Sequence, residues 1–150
     1  MPCLAAQFDP AVGPILGVII TPSGSIQSLA SPNSPTITLT PLLVDTGADA
    51  TCISPQVAQR LNLTAIGLRP VNVPSGQALL PRYLVDIGIY FAIQTAGGAP
   101  VAAPLVMIPN IEVLEFRGQS PHYQGLLGRD VLSNAHFSIA GWAKTFTICM

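Results

Sequence analysis

Short aliphatic runs alternate along the chain with stretches of Ser, Pro, Gly and Thr, and most runs carry the two-residue period of strands. Residues 12–20 (VGPILGVII) are aliphatic and β-branched, are interrupted by Gly and Pro, and predict a buried strand. Residues 21–35 are dominated by Ser, Pro, Gly and Asn and read as a long loop or a ragged hairpin. Residues 36–44 (TITLTPLLV) start with Ile37 and Leu39 on one face, then become continuously apolar, so this strand should run into the core and end at Asp45. The strongest helix signal lies at 54–63: Ser54 can cap, Pro55 suits the first helical position, and Val57, Ala58 and Leu61 share a face. Within residues 68–91, two extended arms meet at the turn Pro74-Ser75-Gly76. In the second arm Tyr83, Val85, Ile87, Ile89 and Phe91 alternate strictly. PVAAPLVMIP (100–109) and IEVLEF (111–116) predict two further strands. Residues 123–135 predict a short strand ending in Gly128 and then a brief helix, and HFSIAG and KTFTICM predict a closing hairpin. The pattern is that of a mostly-β protein with one or two short helices.

The length, 150 residues, predicts one domain over 1–150, with 1–11 as an irregular N-terminal arm. Charged residues are only 9% of the chain, against about 25% in an ordinary soluble domain. So thin a charged surface is poorly solvated and suggests cover by a partner subunit. The net charge is −1 and the six basic residues are scattered singly, so no patch exists to neutralise phosphates and nucleic-acid binding is not expected. The longest apolar runs, such as 15–20 and 101–108, are too short to span a bilayer, so no membrane insertion is expected. The opening MPCLAAQFDP has no basic segment followed by an apolar one, which points to a cytoplasmic protein. Asn62-Leu63-Thr64 then matches a glycosylation acceptor by chance. The three cysteines (Cys3, Cys52, Cys149) form no CxxC pair and no metal spacing with His. Their odd count argues against a disulfide framework and fits a reducing compartment. Neither a metal nor a cofactor is expected.

The chemistry gathers at Asp45. A carboxylate at the end of a buried strand needs hydrogen-bond donors, or it stays protonated. Asp45-Thr46-Gly47-Ala48 supplies what a tight turn requires: Gly47 relaxes the backbone and exposes amides to the carboxylate, Thr46 brings a hydroxyl, and Ala48 lets another backbone lie close. The plainer reading is an Asx-turn in which Asp45 caps its own loop. A Cys-His nucleophile built from Cys52 with His122 or His136 lacks a nucleophile elbow, and no Glu closes a calcium loop around Asp45 and Asp49.

LLVDTGAD (Leu42 to Asp49) resembles the active-site segment of retropepsin-like aspartic proteases, the single-domain relatives of pepsin. GLLGRD (Gly125 to Asp130) resembles the same family's late hydrophobic-hydrophobic-Gly motif followed by Arg-Asp. The resemblance implies the acid-protease fold, a closed β-barrel or sandwich, in which Gly128, Arg129 and Asp130 brace the catalytic loop from below. It places the Pro74-Ser75-Gly76 hairpin where the family carries a flap over the substrate. One Asp-Thr-Gly per chain implies a homodimer, each chain giving one Asp45 to a dyad that shares a proton and hydrolyses a polypeptide substrate. Asp49, Asp86 and Asp130 lie outside any second copy of the motif. By the same resemblance Thr46 bonds across the two-fold, and Gly47 accepts a substrate amide through its carbonyl. Ala48 supports the loop, Asp49 binds substrate main chain and pairs with Arg129, and Gly76 contacts substrate from the flap. The alternative is a dimerisation or peptide-binding module of the same fold with little or no proteolysis. Two features depart from retroviral members: the flap tip has one Gly and a Pro, and the 54–63 helix is similar to cellular and bacterial members. Subsites are expected to be apolar, lined near the flap and by 101–108.

Overall fold

The computed structural model describes residues 1–25, 38–91 and 105–150. Among the described residues, ten strands form two sheets, accompanied by two short α-helices. β2 (Ile15–Pro22) is the expected aliphatic strand, shifted slightly toward the C-terminus; it pairs antiparallel with β3 (Thr40–Val44), Ile15 opposite Leu43 and Val18 opposite Thr40. Along β3 the burial alternates: Thr40, Leu42 and Val44 point inward. Residues 26–37, which include Ile37, lie outside the described residues; at 21–25 β2 ends in a turn, and Leu39 ahead of β3 is exposed.

β8 (Gly125–Leu127) inserts between β3 and β4 (Cys52–Ile53), parallel to the first and antiparallel to the second. The sheet continues from β4 to β7 (Leu105–Glu115), β6 (Gly76–Tyr90) and β5 (Gly67–Val73). It closes on itself because β6 also pairs with β2, Ile19 opposite Gly88 and Pro22 opposite Val85. Six strands thus make a closed barrel, which has no free edges, and β5 with the outer end of β6 projects from it as a hairpin. The strict alternation in β6 holds: Tyr83, Val85, Ile87, Ile89 and Phe91 are all buried, against Val18, Leu42, Ile53, Val113 and Leu127.

The two strands expected at 100–109 and 111–116 are one strand from Leu105 onward; 101–104 lie outside the described residues. Pro109-Asn110 does not end it. Asn110 takes a left-handed conformation (φ 56°) beside a register shift between Val85 and Ile87, and the strand resumes beyond this bulge. Asp86, 1% exposed, makes that possible: its carboxylate accepts the Asn110 N–H at 3.0 Å and the Gly24 N–H at 2.8 Å.

The helix signal at 54–63 is met by α1 (Pro55–Arg60). Ser54 Oγ accepts the Val57 N–H at 3.3 Å, Pro55 opens the first turn, and Val57 and Ala58 are buried. The helix stops short of Leu63 because Asn62 turns left-handed (φ 51°), which lets the Leu63 N–H reach the Ala58 carbonyl at 2.9 Å. α2 (Arg129–Leu132) follows β8 directly.

The second sheet overturns two expectations. Residues 3–7 are not an irregular arm: β1 (Cys3–Gln7) pairs antiparallel with β10 (Thr145–Cys149), which pairs in turn with β9 (His136–Ala140) as the predicted closing hairpin. The β1–β10 register sets Cys3 opposite Cys149, and the two form a disulfide, leaving Cys52 as the free thiol. An odd count excludes a fully paired framework but not one bridge, and this pairing joins residues at the two ends of the sequence. Phe146 and Ile148 turn this sheet's apolar face inward. Among the described residues no helix is long and apolar enough to cross a membrane.

Candidate active site

Asp45 stands where β3 leaves the barrel. Its N–H bonds the Leu127 carbonyl at 3.0 Å, and its carbonyl accepts the Ala48 N–H at 3.2 Å, so residues 45–48 form a tight turn hung on β8. The Gly47 N–H donates to Asp45 Oδ1 at 2.8 Å. An added Cβ at Gly47 would sit 3.1 Å from that same oxygen, so any side chain there crowds the carboxylate. Asp45 is half-buried, and Thr46 and Gly47 are exposed beside it. Among the described residues the Thr46 hydroxyl has no hydrogen-bond partner within the chain.

The loop is braced from α2. The Arg129 N–H donates to the Ala48 carbonyl at 2.9 Å, and the Arg129 guanidinium pairs with the Asp49 carboxylate. Asp130 turns the other way: Oδ2 accepts the Thr51 N–H at 2.8 Å, and Oδ1 accepts the Thr51 hydroxyl at 2.7 Å and the Val131 N–H at 2.9 Å. Thr51 Oγ1 in turn accepts the Gly128 N–H at 3.0 Å. The buried Thr51 hydroxyl is thus the knot between the strand after the Asp45 loop and the start of α2. Gly128 admits no side chain, because a Cβ would fall 2.5 Å from Ala50 C. Gly125 is tighter still, with 2.1 Å to the Cys52 carbonyl oxygen.

Sequence reasoning misses Thr51 and Gly125. The available signals were a lone hydroxyl in the apolar stretch after Asp49 and the first Gly of GLLGRD. Thr51→Val keeps the shape but strips the hydroxyl. It should cost about 2–4 kcal/mol in urea denaturation, because it leaves a buried N–H and a carboxylate oxygen short of partners. Thr51→Ser should retain most of the stability; equal losses in both would assign the effect to methyl packing instead.

A cavity of about 410 Å³ lies between this loop and β5, lined by Gly47, Ala48, Asp49 and Cys52 on one side and by Arg69 and Val71 on the other, with Leu114 and Leu126 beneath. Gly76 does not line it. It sits at the hairpin turn, paired with Val73, in a left-handed conformation (φ 125°) that suits glycine. None of residues 105–108 lines the cavity either; the contribution of β7 comes from Leu114 instead, and 101–104 lie outside the described residues. A larger cleft of about 480 Å³ lies against the start of α1 and residues 115–124, with no residue of either motif in its wall.

Burial pushes the Cys52 thiol up to about 11, with the Asp130 and Asp45 charges adding to the rise. At neutral pH it is a protonated thiol donating to the Ala50 carbonyl, which is the opposite of an activated nucleophile. His136 lies in β9 opposite Cys149, and the His122 N–H bonds Ser120, so no hydrogen bond joins either histidine to Cys52. Among the described residues no three His, Cys, Asp or Glu side chains are grouped to hold a metal ion.

A model of the aspartyl protease family matches residues 37–131, a span that includes both Asp45 and the brace. The crystal structure of a retropepsin-like aspartic protease from Rickettsia conorii matches with a TM-score of 0.59 at 13% identity, covering 97% of this chain and 89% of that one. At that identity the likeness speaks for the fold. No curated protein matches the sequence significantly. The barrel, the interposed β8 and the family match over both motifs agree: this chain belongs to the aspartyl protease family, with the retropepsin-like fold.

Proposed function

We propose that the protein is an aspartic endopeptidase that works as a homodimer, with one Asp45 from each chain forming a dyad that shares a proton. The observation that carries this reading is the condition of Asp49, Asp86 and Asp130, the other candidate carboxylates. Asp49 is paired with Arg129, Asp130 is bonded by Thr51 and the Val131 amide, and Asp86 is buried in the bulge between β6 and β7. Each is held by a group outside the Asp45 turn, whereas among the described residues the Asp45 carboxylate is bonded by the Gly47 N–H of its own turn and stands half-exposed with an exposed Thr46 beside it. A second catalytic carboxylate is best supplied by a second copy about a two-fold axis. Two carboxylates about 3 Å apart cannot both ionise, so one stays protonated.

The ionised Asp45 takes a proton from a water as its oxygen attacks the scissile carbonyl. The protonated Asp45 of the other chain donates to the carbonyl oxygen. Collapse of the tetrahedral diol breaks the C–N bond as a proton passes to the leaving amine. Thr46 bonds across the axis, the Gly47 carbonyl and the Asp49 carboxylate bind substrate main chain, and the β5–β6 hairpin with Gly76 at its turn acts as the flap.

The test is digestion of a denatured protein mixture by wild type and Asp45→Asn at roughly pH 4 to 7, the range in which a shared-proton dyad works. New peptide termini are read by mass spectrometry, and sedimentation of both proteins reports the dimer. Termini produced by wild type alone support the reading. Termini produced by both point to another nucleophile. A dimer that produces none would favour the peptide-binding module.

A further inference from the structure

Arg69 is placed by strand register. β5 sets Arg69 opposite Leu80 and Val71 opposite Ala78 on one face of the hairpin, and Leu68, Pro70, Leu79 and Pro81 on the other. The second face is solvent-exposed at Leu68 (60%) and Leu79 (57%), whereas Leu80 is buried. Residues 69–72 of β5 all border the cavity beside Gly47, Ala48 and Asp49, and Arg69 also borders a second cavity with Asp49, Glu112 and Asp130. The guanidinium is fixed by its contact with Glu112, on the side of β5 where both residues share a cavity wall with Asp49 and Asp130.

Its charge is only partly matched. Glu112 on β7 pairs with Arg82 at 3.0 Å and with Arg69 at 3.5 Å, so two guanidinium groups share one carboxylate. Of the two, Arg69 has the longer contact and the more exposed side chain, 51% against 37%. The other carboxylates bordering the cavity system, Asp49 and Asp130, already have donors of their own. A guanidinium carries five N–H donors in a planar fork, and the Glu112 contact uses one. The fork is matched by a carboxylate, which it can hold through two parallel hydrogen bonds.

We propose that Arg69 binds a substrate carboxylate side chain, so that the site prefers Asp or Glu at a position next to the apolar pocket formed by Val71, Cys52 and Leu114. This rests on the endopeptidase reading for its kinetic form, and it departs from wholly apolar specificity. Because Arg69 is half-exposed, the preference is of moderate size, about tenfold, and falls as salt is raised.

The experiment uses end-capped peptides carrying Glu, Gln or Lys in turn at each position around a cleavage site, assayed at pH 6 and low salt with wild type, Arg69→Gln and Arg69→Glu. The readout is the ratio of kcat/KM for Glu over Gln at each position. The expected result is a ratio of about ten at one position in wild type, near one in Arg69→Gln, with Lys preferred in Arg69→Glu. A wild-type ratio near one everywhere, or a ratio that survives Arg69→Gln, overturns the proposal. The same peptides are titrated by fluorescence anisotropy against Asp45→Asn with and without Arg69→Gln. If wild type cleaves nothing but Glu peptides bind in an Arg69-dependent way, the endopeptidase reading fails and this one stands. Binding without Arg69 dependence sinks it whatever the cleavage result.

Discussion

Gly125→Ala is expected to destabilise the protein by about 3 kcal/mol or more, seen as a large drop in the urea midpoint. The new methyl would lie 2.1 Å from the Cys52 carbonyl oxygen and 3.0 Å from the Ile53 Cα. These are backbone atoms of β4, a strand of two residues held between β7 and β8, and they cannot swing aside as a side chain would. Relief requires prising β8 from β4, which also disturbs the parallel pairing of Leu43 with Leu126 that carries the chain to Asp45. Gly128→Ala meets the same obstacle at Ala50 and Thr51, and it sits directly under the brace. Gly141→Ala is the control: nothing lies within 4 Å of its added carbon, so its stability should stay within about 0.5 kcal/mol of wild type. A Gly125→Ala chain within 1 kcal/mol of wild type, on that ~3 kcal/mol scale, would mean that β4 and β8 can part to admit a methyl without losing their pairing.

On the proposed dyad, Asp45→Asn is expected to lower cleavage by about 10²–10⁴-fold while leaving the fold and the proposed dimer in place. The amide is nearly isosteric, and its oxygen can still accept the Gly47 N–H, so the turn keeps its anchor. It can neither take a proton from water nor share one with a facing carboxylate. Mixing the two proteins separates the dimeric dyad from any single-chain alternative. If chains exchange freely, an equal mixture holds about one quarter of its dimers with both carboxylates, so activity at fixed total chain falls to about a quarter. A fall only to about half would place the whole catalytic apparatus in one chain.

Features carried by local chemistry could be read from the sequence. The Ser54 cap, the Pro55 start, the alternation of Tyr83 through Phe91 and the strand-to-helix step at Gly128 each depend on a few neighbouring residues, and the structure has them all. The two motifs at the loop and brace could be seen for the same reason. What could not be read depends on distant partners. β1 has no periodic signal and becomes a strand only because β10, at the other end of the sequence, lies beside it. The disulfide follows from that register, and cysteine arithmetic alone does not reveal it. Pro109-Asn110 reads locally as a break, and β7 runs through it because Asp86 on another strand takes up the Asn110 amide. Thr51 looks like one more polar residue in a loop until Asp130 and the Gly128 amide are placed around it.

β6 is fifteen residues of continuous strand, but its neighbours change along its length. Gly76 through Pro81 pair with β5 alone, β7 joins from Arg82, and β2 adds its pairing from Val85 to Gly88. The strand is therefore a cantilever, free at one end and built into the barrel wall at the other. Opening free energy should climb along it, so amide hydrogen exchange should be fastest near the hairpin turn and slowest around Ile87. Uniform exchange along β6 would mean that the hairpin and barrel open as one unit. With the graded profile, the hairpin can lift at the cost of one strand pair's worth of hydrogen bonds, and the floor that holds Asp45 does not have to yield.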